Sequence, residues 1–206
     1  MKTLAFFALG LFVFALAMTA PAGAAAPAGD PAVQQIEKFH ATLLTVMKQG
    51  ATLGAEGRFK KLAPQVDATF DLAAMTQYAV GPTWSTMSDA EHKTLIEGFR
   101  RMTIANYAHN FASFNGQKFV VDPTIEAHDA DHLVHSQLIP VGDKPVSLTY
   151  RMRNSGGTWK VIDVFLEGYV SELATRRSDF AATVQSGGAA ALSQKLTELS
   201  DKLMKD

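Results

Sequence analysis

After Asn115-Gly116 the apolar residues stop recurring every three to four positions and begin to alternate. That change of period limits the fold more than any other feature. Before it, Leu95, Phe99, Met102, Ile104, Tyr107 and Phe111 form the stripe of a helix predicted over about residues 89–112, with Arg100 and Arg101 at or beyond its edge. After it, Lys118 to Val121, Leu133 to Ile139, Val146 to Arg153 and Trp159 to Leu166 read as four strands. Gly142-Asp143 and Asn154-Ser155-Gly156-Gly157 are short turns, which join antiparallel neighbours. In the third strand Val146, Leu148, Tyr150 and Met152 face one way and Ser147, Thr149, Arg151 and Arg153 the other. Helical spacing returns from Ser171 to Gln185, breaks at Gly187-Gly188 and resumes from Ala189 to Met204. Helices, a strand meander and helices again give an α+β class: a twisted antiparallel sheet of about four strands, wrapped on its apolar face by N- and C-terminal helices.

The N-terminal half carries explicit helix signals. Asp30 and Pro31 suit the N-cap and first position of a helix whose apolar face is Val33, Ile36, Phe39, Leu43, Val46 and Met47. Gly50 to Gly57 should break it. Arg58 to Val66 reads as a short helix interrupted by Pro64, and Asp71 as the cap of another over 71–79. Ser88-Asp89-Ala90-Glu91 is a capping box for the long helix. In the Gly81-Pro82-Thr83-Trp84 stretch between them, Gly81 can close one helix in a left-handed conformation and Pro82 prevents its continuation. Trp84 is then expected to wedge its ring into the gap.

The first 26 residues place Lys2 before an apolar run from Leu4 to Met18, then small residues ending in Ala22-Gly23-Ala24. This is the order of a cleaved secretory signal, and the run is shorter than the roughly 20 residues of a spanning helix. Cleavage after Ala24 would leave residues 25–206 as one domain, large enough to bury a core. Loss of Lys2 takes the formal net charge from −1 to −2. Near-neutral charge gives no electrostatic case for nucleic acid. The chain contains no cysteine, which excludes disulfides, thiolate catalysis and lipoprotein acylation at the signal site. The expected address is the periplasm.

Catalytic signals are weak. His128, His132 and His135, with Asp129 and Asp131, gather metal-type donors within eight residues. A strand beginning before Leu133 would put His132 and His135 on opposite faces, and HExxH and paired CxxC spacings are absent, so a polar turn entering a strand is expected and no metal site. No G-x-S-x-G elbow and no phosphate-cradling glycine pattern occurs. Asp163 and Glu167 could form a carboxylate pair, but Asp163 is expected to meet an arginine such as Arg100 or Arg151, or to face solvent.

The order of motifs resembles a known family. Phe70-Asp71, Ala79-Val80-Gly81-x-x-Trp84, Ser88, Phe99 and Asn106-Tyr107-Ala108 follow the run of the MlaC, or toluene-tolerance, family. The C-terminal half continues it with Tyr150-Arg151-Met152, Trp159-Lys160-Val161-Ile162-Asp163-Val164, Glu167-Gly168, Arg177-x-x-Phe180, Gly188, Leu192 and Leu196. The likeness extends from about residue 33 to 200. Val80 stands where the family has leucine, Tyr169-Val170-Ser171 departs from its usual dipeptide, and the histidine-rich turn is not a family feature. The general character is similar to the branch associated with hopanoid-producing bacteria.

The resemblance implies a soluble periplasmic lipid carrier, not an enzyme, needing no cofactor beyond its bound lipid. Its cargo would be a phospholipid or a hopanoid. Its partners would be an inner-membrane ABC transporter with an MCE-domain protein and an outer-membrane lipoprotein complex. Acyl tails would lie in an apolar pocket between sheet and helices, and none of this requires a bond-making residue. Candidates for the lining are Trp84, Phe99, Met102, Tyr107 and Phe111, with Leu138, Leu148, Tyr150 and Met152 from the strands. Arg100, Arg101, Arg151 or Arg153 would attend the head group. Two other classes stay open: an enzyme using Asp163, Glu167 or the histidines, and an adaptor with a filled core.

Overall fold

A computed structural model describes residues 29–205, so the expected signal segment lies outside the described residues. Helix α1 (Pro31–Lys48) begins where Asp30 accepts a 2.8 Å hydrogen bond from the Ala32 amide. Its face Val33, Ile36, Phe39, Leu43, Val46 and Met47 is buried. Helix α2 runs over Gly50–Thr69. Within it Gly54 has a non-helical backbone (φ 59°, ψ 177°), so two helical stretches meet across a kink inside the glycine-rich segment where the sequence predicts a break. Pro64 lies inside the helix, because Ala55, Arg58, Leu62, Val66 and Thr69 form a buried stripe. Burying that stripe offsets the roughly 3 kcal/mol that an interior proline costs. Gly50 has no alternative: a Cβ there would lie 1.7 Å from the Ala112 carbonyl oxygen.

Helix α3 (Leu72–Val80) is capped by Asp71, whose carboxylate accepts from the Ala74 amide at 3.0 Å. A 3₁₀ turn over Pro82–Thr86 leads to α4 (Asp89–Asn110), which starts with the capping box: Glu91 accepts from the Ser88 amide at 2.8 Å and Ser88 from the Glu91 amide at 3.4 Å. The long C-terminal helix α5 (Glu172–Leu203) bends at Gly188 (φ 59°, ψ −149°). It packs along α4, closely enough that a Cβ on Gly98 would sit 3.1 Å from Leu196.

Between α4 and α5 the chain forms β1 (Lys118–His128), β2 (Asp131–Ile139), β3 (Val146–Ser155), β4 (Thr158–Leu166) and β5 (Val170–Ser171), an antiparallel meander in that order. The sheet has five strands rather than about four; β5 is only two residues long, too short to register as alternation. β1 also runs past Val121, with an irregularity between Val121 and Ile125 that contains Pro123. Proline is tolerated there because β1 is an edge strand. Val134, Tyr150, Met152 and Val161 face the helices and join their core.

Candidate functional site

Where α4 and α5 meet the helix-facing side of the sheet, packing is incomplete. A cavity of about 440 Å³ remains. Its inner wall comes from separate elements: Phe70 before α3, Met75 on α3, Phe99 and Met102 on α4, Leu148 and Tyr150 on β3, Val164 on β4 and Leu173 on α5, all buried. Toward the outside, Leu138, Val146 and Leu166 sit at the end of the sheet where β2 and β4 finish and β3 begins. Thr103, Asn106, Tyr107, Asn110 and Phe111 line the α4 side, and Glu172 and Arg176 the α5 side.

Seven of the nine residues proposed from sequence therefore line this cavity: Phe99, Met102, Tyr107, Phe111, Leu138, Leu148 and Tyr150. Met152 and Trp84 do not. Met152 faces the helices but opposes Val161 beyond the β-bulge and is wholly enclosed by core. Trp84 stacks on His92 with ring centroids 3.9 Å apart, and His92 Nε2 lies 2.8 Å from the Trp84 carbonyl oxygen. It is a fastening of the corner between α3 and α4. Gly81 there has φ 80° and ψ −150°, an extended mirror-image conformation rather than the left-handed helical one.

Phe70, Met75, Val146, Val164, Leu166 and Leu173 were not singled out in the sequence. Apolar periodicity marks all of them as inward-facing, and it cannot separate a cavity wall from close packing.

The titratable groups of the apolar wall, Tyr107 and Tyr150 with His40 behind them, are held neutral by burial. Burial, helped by the charge of Glu172, raises the Tyr107 phenol. Burial, then Tyr107, raises Tyr150 far above its usual value. Behind Tyr150, His40 Nε2 lies 2.9 Å from the phenol oxygen, and burial depresses the His40 imidazole to about 3. Phe39, Phe70 and Phe111 complete the aromatic packing against Tyr107, with ring centroids 5.1, 5.6 and 5.8 Å away. The inner wall can accept hydrocarbon without facing a charge, since Glu172 and Arg176 lie on the α5 side toward the outside.

The arginines expected near a head group lie elsewhere. Arg100 is bidentate to Asp67 (2.7 and 2.8 Å), and Arg101 bonds Asp201 at 2.7 Å. Arg151 and Arg153 are on the sheet face away from the helices, both bonded to Asp131 (2.6 and 2.7 Å). Nor does Asp163 meet an arginine. Its carboxylate accepts from the Ser171 hydroxyl (2.6 Å) and the Leu173 amide (3.1 Å), anchoring the start of α5.

The histidines fall in different settings. His132 stacks on Trp159 at 3.8 Å, with Nδ1 3.5 Å from Asp30, while His135 on the other face lies 2.9 Å from the Thr149 hydroxyl. No group of three metal-ligating side chains gathers among the described residues. A larger hollow, about 550 Å³, lies between α1 and α2, but Lys38, Thr42, Lys61 and Gln65 line it and it opens broadly to the surface.

Residues 37–198 match the family model described as MlaC protein. A solved structure of a phospholipid-binding protein from Ralstonia solanacearum, in complex with a phospholipid, is similar with a TM-score of 0.74 and 25% identity, covering 85% of this chain and 100% of that one. No curated protein matches the chain.

Proposed function

Because this chain belongs to the MlaC family, we propose that it is a periplasmic carrier that buries the acyl tails of a phospholipid in the cavity between α4, α5 and the sheet. The observation that carries the reading is the inner wall: buried apolar side chains from separate elements, backed by titratable groups that stay neutral. The similar Ralstonia protein was solved with a phospholipid bound, which supports the same ligand class here.

The energetics favour a carrier without a catalyst. Each methylene exposed to water costs about 0.8 kcal/mol, so a sixteen-carbon tail costs roughly 12 kcal/mol to expose. Burying it removes most of that barrier to crossing an aqueous compartment. A cavity of about 440 Å³ with this lining falls in the size range of small-molecule sites and can take up hydrocarbon.

In this reading residues 1–24 are a cleaved signal, residues 25–206 form one lipid-binding domain, and the protein shuttles lipid between an outer-membrane lipoprotein complex and an inner-membrane ABC transporter with an MCE-domain protein. Gentle purification from the native host, organic extraction and mass spectrometry test it. Phospholipid at one per protein is expected. Hopanoid in its place would change the cargo, and a protein that arrives empty and takes up no added lipid would overturn the reading in favour of an adaptor.

A further inference from the structure

The cavity's lining residues sort by exposure into two groups. Phe70, Met102, Tyr150 and Leu173 are buried, whereas Asn106, Asn110, Glu172 and Arg176 are partly or fully exposed. At the rim these polar residues lie with half-buried Tyr107, Phe111, Leu138, Val146 and Leu166. Among the described residues the rim's only charged members are Glu172 and Arg176, one helical turn apart at the start of α5.

Their geometry leaves both available. Arg176 Nη2 is 4.0 Å from Glu172 and Nη1 is 3.7 Å from Asp179, each too long for a hydrogen bond. Arg176 makes no hydrogen bond among the described residues, in contrast to Arg100, Arg101, Arg151 and Arg153. Held only in these two long ion pairs, its guanidinium fork can also take phosphate oxygens, the acceptors it fits best. Glu172 itself lines the cavity, as does Tyr107.

We propose that this rim selects a zwitterionic head group, one carrying a phosphate and a cationic amine, over a head group that is only anionic. The proposal rests on the carrier reading and adds the head-group class to it. Arg176 faces two carboxylates, Glu172 and Asp179, and Lys195 nearby is committed to the Asp179 carbonyl oxygen (2.6 Å) and the Thr183 hydroxyl (3.2 Å). A phosphate alone satisfies Arg176 and leaves Glu172 beside a like charge. An adjacent amine supplies the missing partner, and Asn106 and Asn110 can complete the polar contacts.

The test loads lipid-stripped protein from vesicles holding equal amounts of phosphatidylethanolamine and phosphatidylglycerol with the same acyl chains. Extracted lipid is then measured by mass spectrometry. Phosphatidylethanolamine is expected in excess by about two- to fivefold, the size of a partly exposed ion-pair effect. Glu172→Gln should bring the ratio toward one, and Arg176→Gln should lower retention of both lipids, with circular dichroism confirming each fold. Equal loading of the unaltered protein overturns the head-group proposal and leaves the carrier reading standing. So does a ratio that Glu172→Gln does not move. Failure to load either lipid overturns the carrier reading and this proposal with it.

Discussion

His40 on α1 and Tyr150 on β3 meet behind the cavity wall, imidazole Nε2 2.9 Å from the phenol oxygen. Residues 110 positions apart in sequence thus hold helix to sheet where hydrocarbon would press against Tyr150. Because burial depresses His40 to about 3 while an unfolded histidine titrates near 6.5, the unfolded chain binds the extra proton between those values. Stability should therefore fall as pH drops below about 6.5, by up to about 1.4 kcal/mol per pH unit, and level off near 3. His40→Gln keeps a hydrogen-bonding group without the titration. Urea midpoints measured from pH 4 to 7 should show a shallower pH slope for that variant.

Leu148 and Met152 lie four residues apart on the same strand face, yet of the two only Leu148 reaches the cavity. Leu148→Asp should place a charge in the tail site and abolish lipid retention in a protein that still folds. Met152→Ala should instead cost about 2–5 kcal/mol of stability, as a buried truncation does, with lipid still recovered at one per protein. Paired melts and lipid extractions distinguish the two. Lipid retained by folded Leu148→Asp would remove that position from the site.

Trp84 and Gly81 should behave as structural residues. Trp84→Ala loses the stack on His92, about 1 kcal/mol beyond the lost contact area, and should leave lipid loading unchanged. Gly81→Ala must adopt φ 80° and ψ −150°, a region costing about 1–3 kcal/mol for a residue with Cβ. Its Cβ would also sit 3.3 Å from Arg177 Nε. Denaturant titration reads both losses.

Asp131 should be an acid-sensitive clasp of the sheet. Burial alone would raise its carboxyl, but hydrogen bonds from Arg153 and Arg151 outweigh it and hold the group below the usual carboxylate range. That stabilisation is complete above the unfolded aspartate value of about 3.9 and is lost as pH falls through the lower folded value. Asp131→Asn should cost about 2 kcal/mol at neutral pH, a difference that narrows toward pH 3 when both proteins are melted across that range.

Local chemistry made much of this fold legible before any coordinates. Asp30, Asp71 and Ser88 cap helices where their residue types and spacing place them, and Gly188 bends α5 where Gly187-Gly188 interrupts the pattern. The misreadings arose where tertiary burial overrides local preference, as at Pro64 in α2, or where an element is too short to show a period, as in β5.

The cavity divides along the same line. Residue order alone determined the alternation of helix and strand, the inward faces of α4 and β3, and the family. Those depend on spacing of 3.6 or 2 and on side chains within a few positions. Only tertiary structure decided that Leu148 faces empty space and Met152 a filled core, and that Arg151 and Arg153 serve Asp131 while Arg176 lies at the rim in long ion pairs. The reason is physical: a cavity and a packed core have the same apolar walls, and they differ in the gap left by elements that meet from distant parts of the chain.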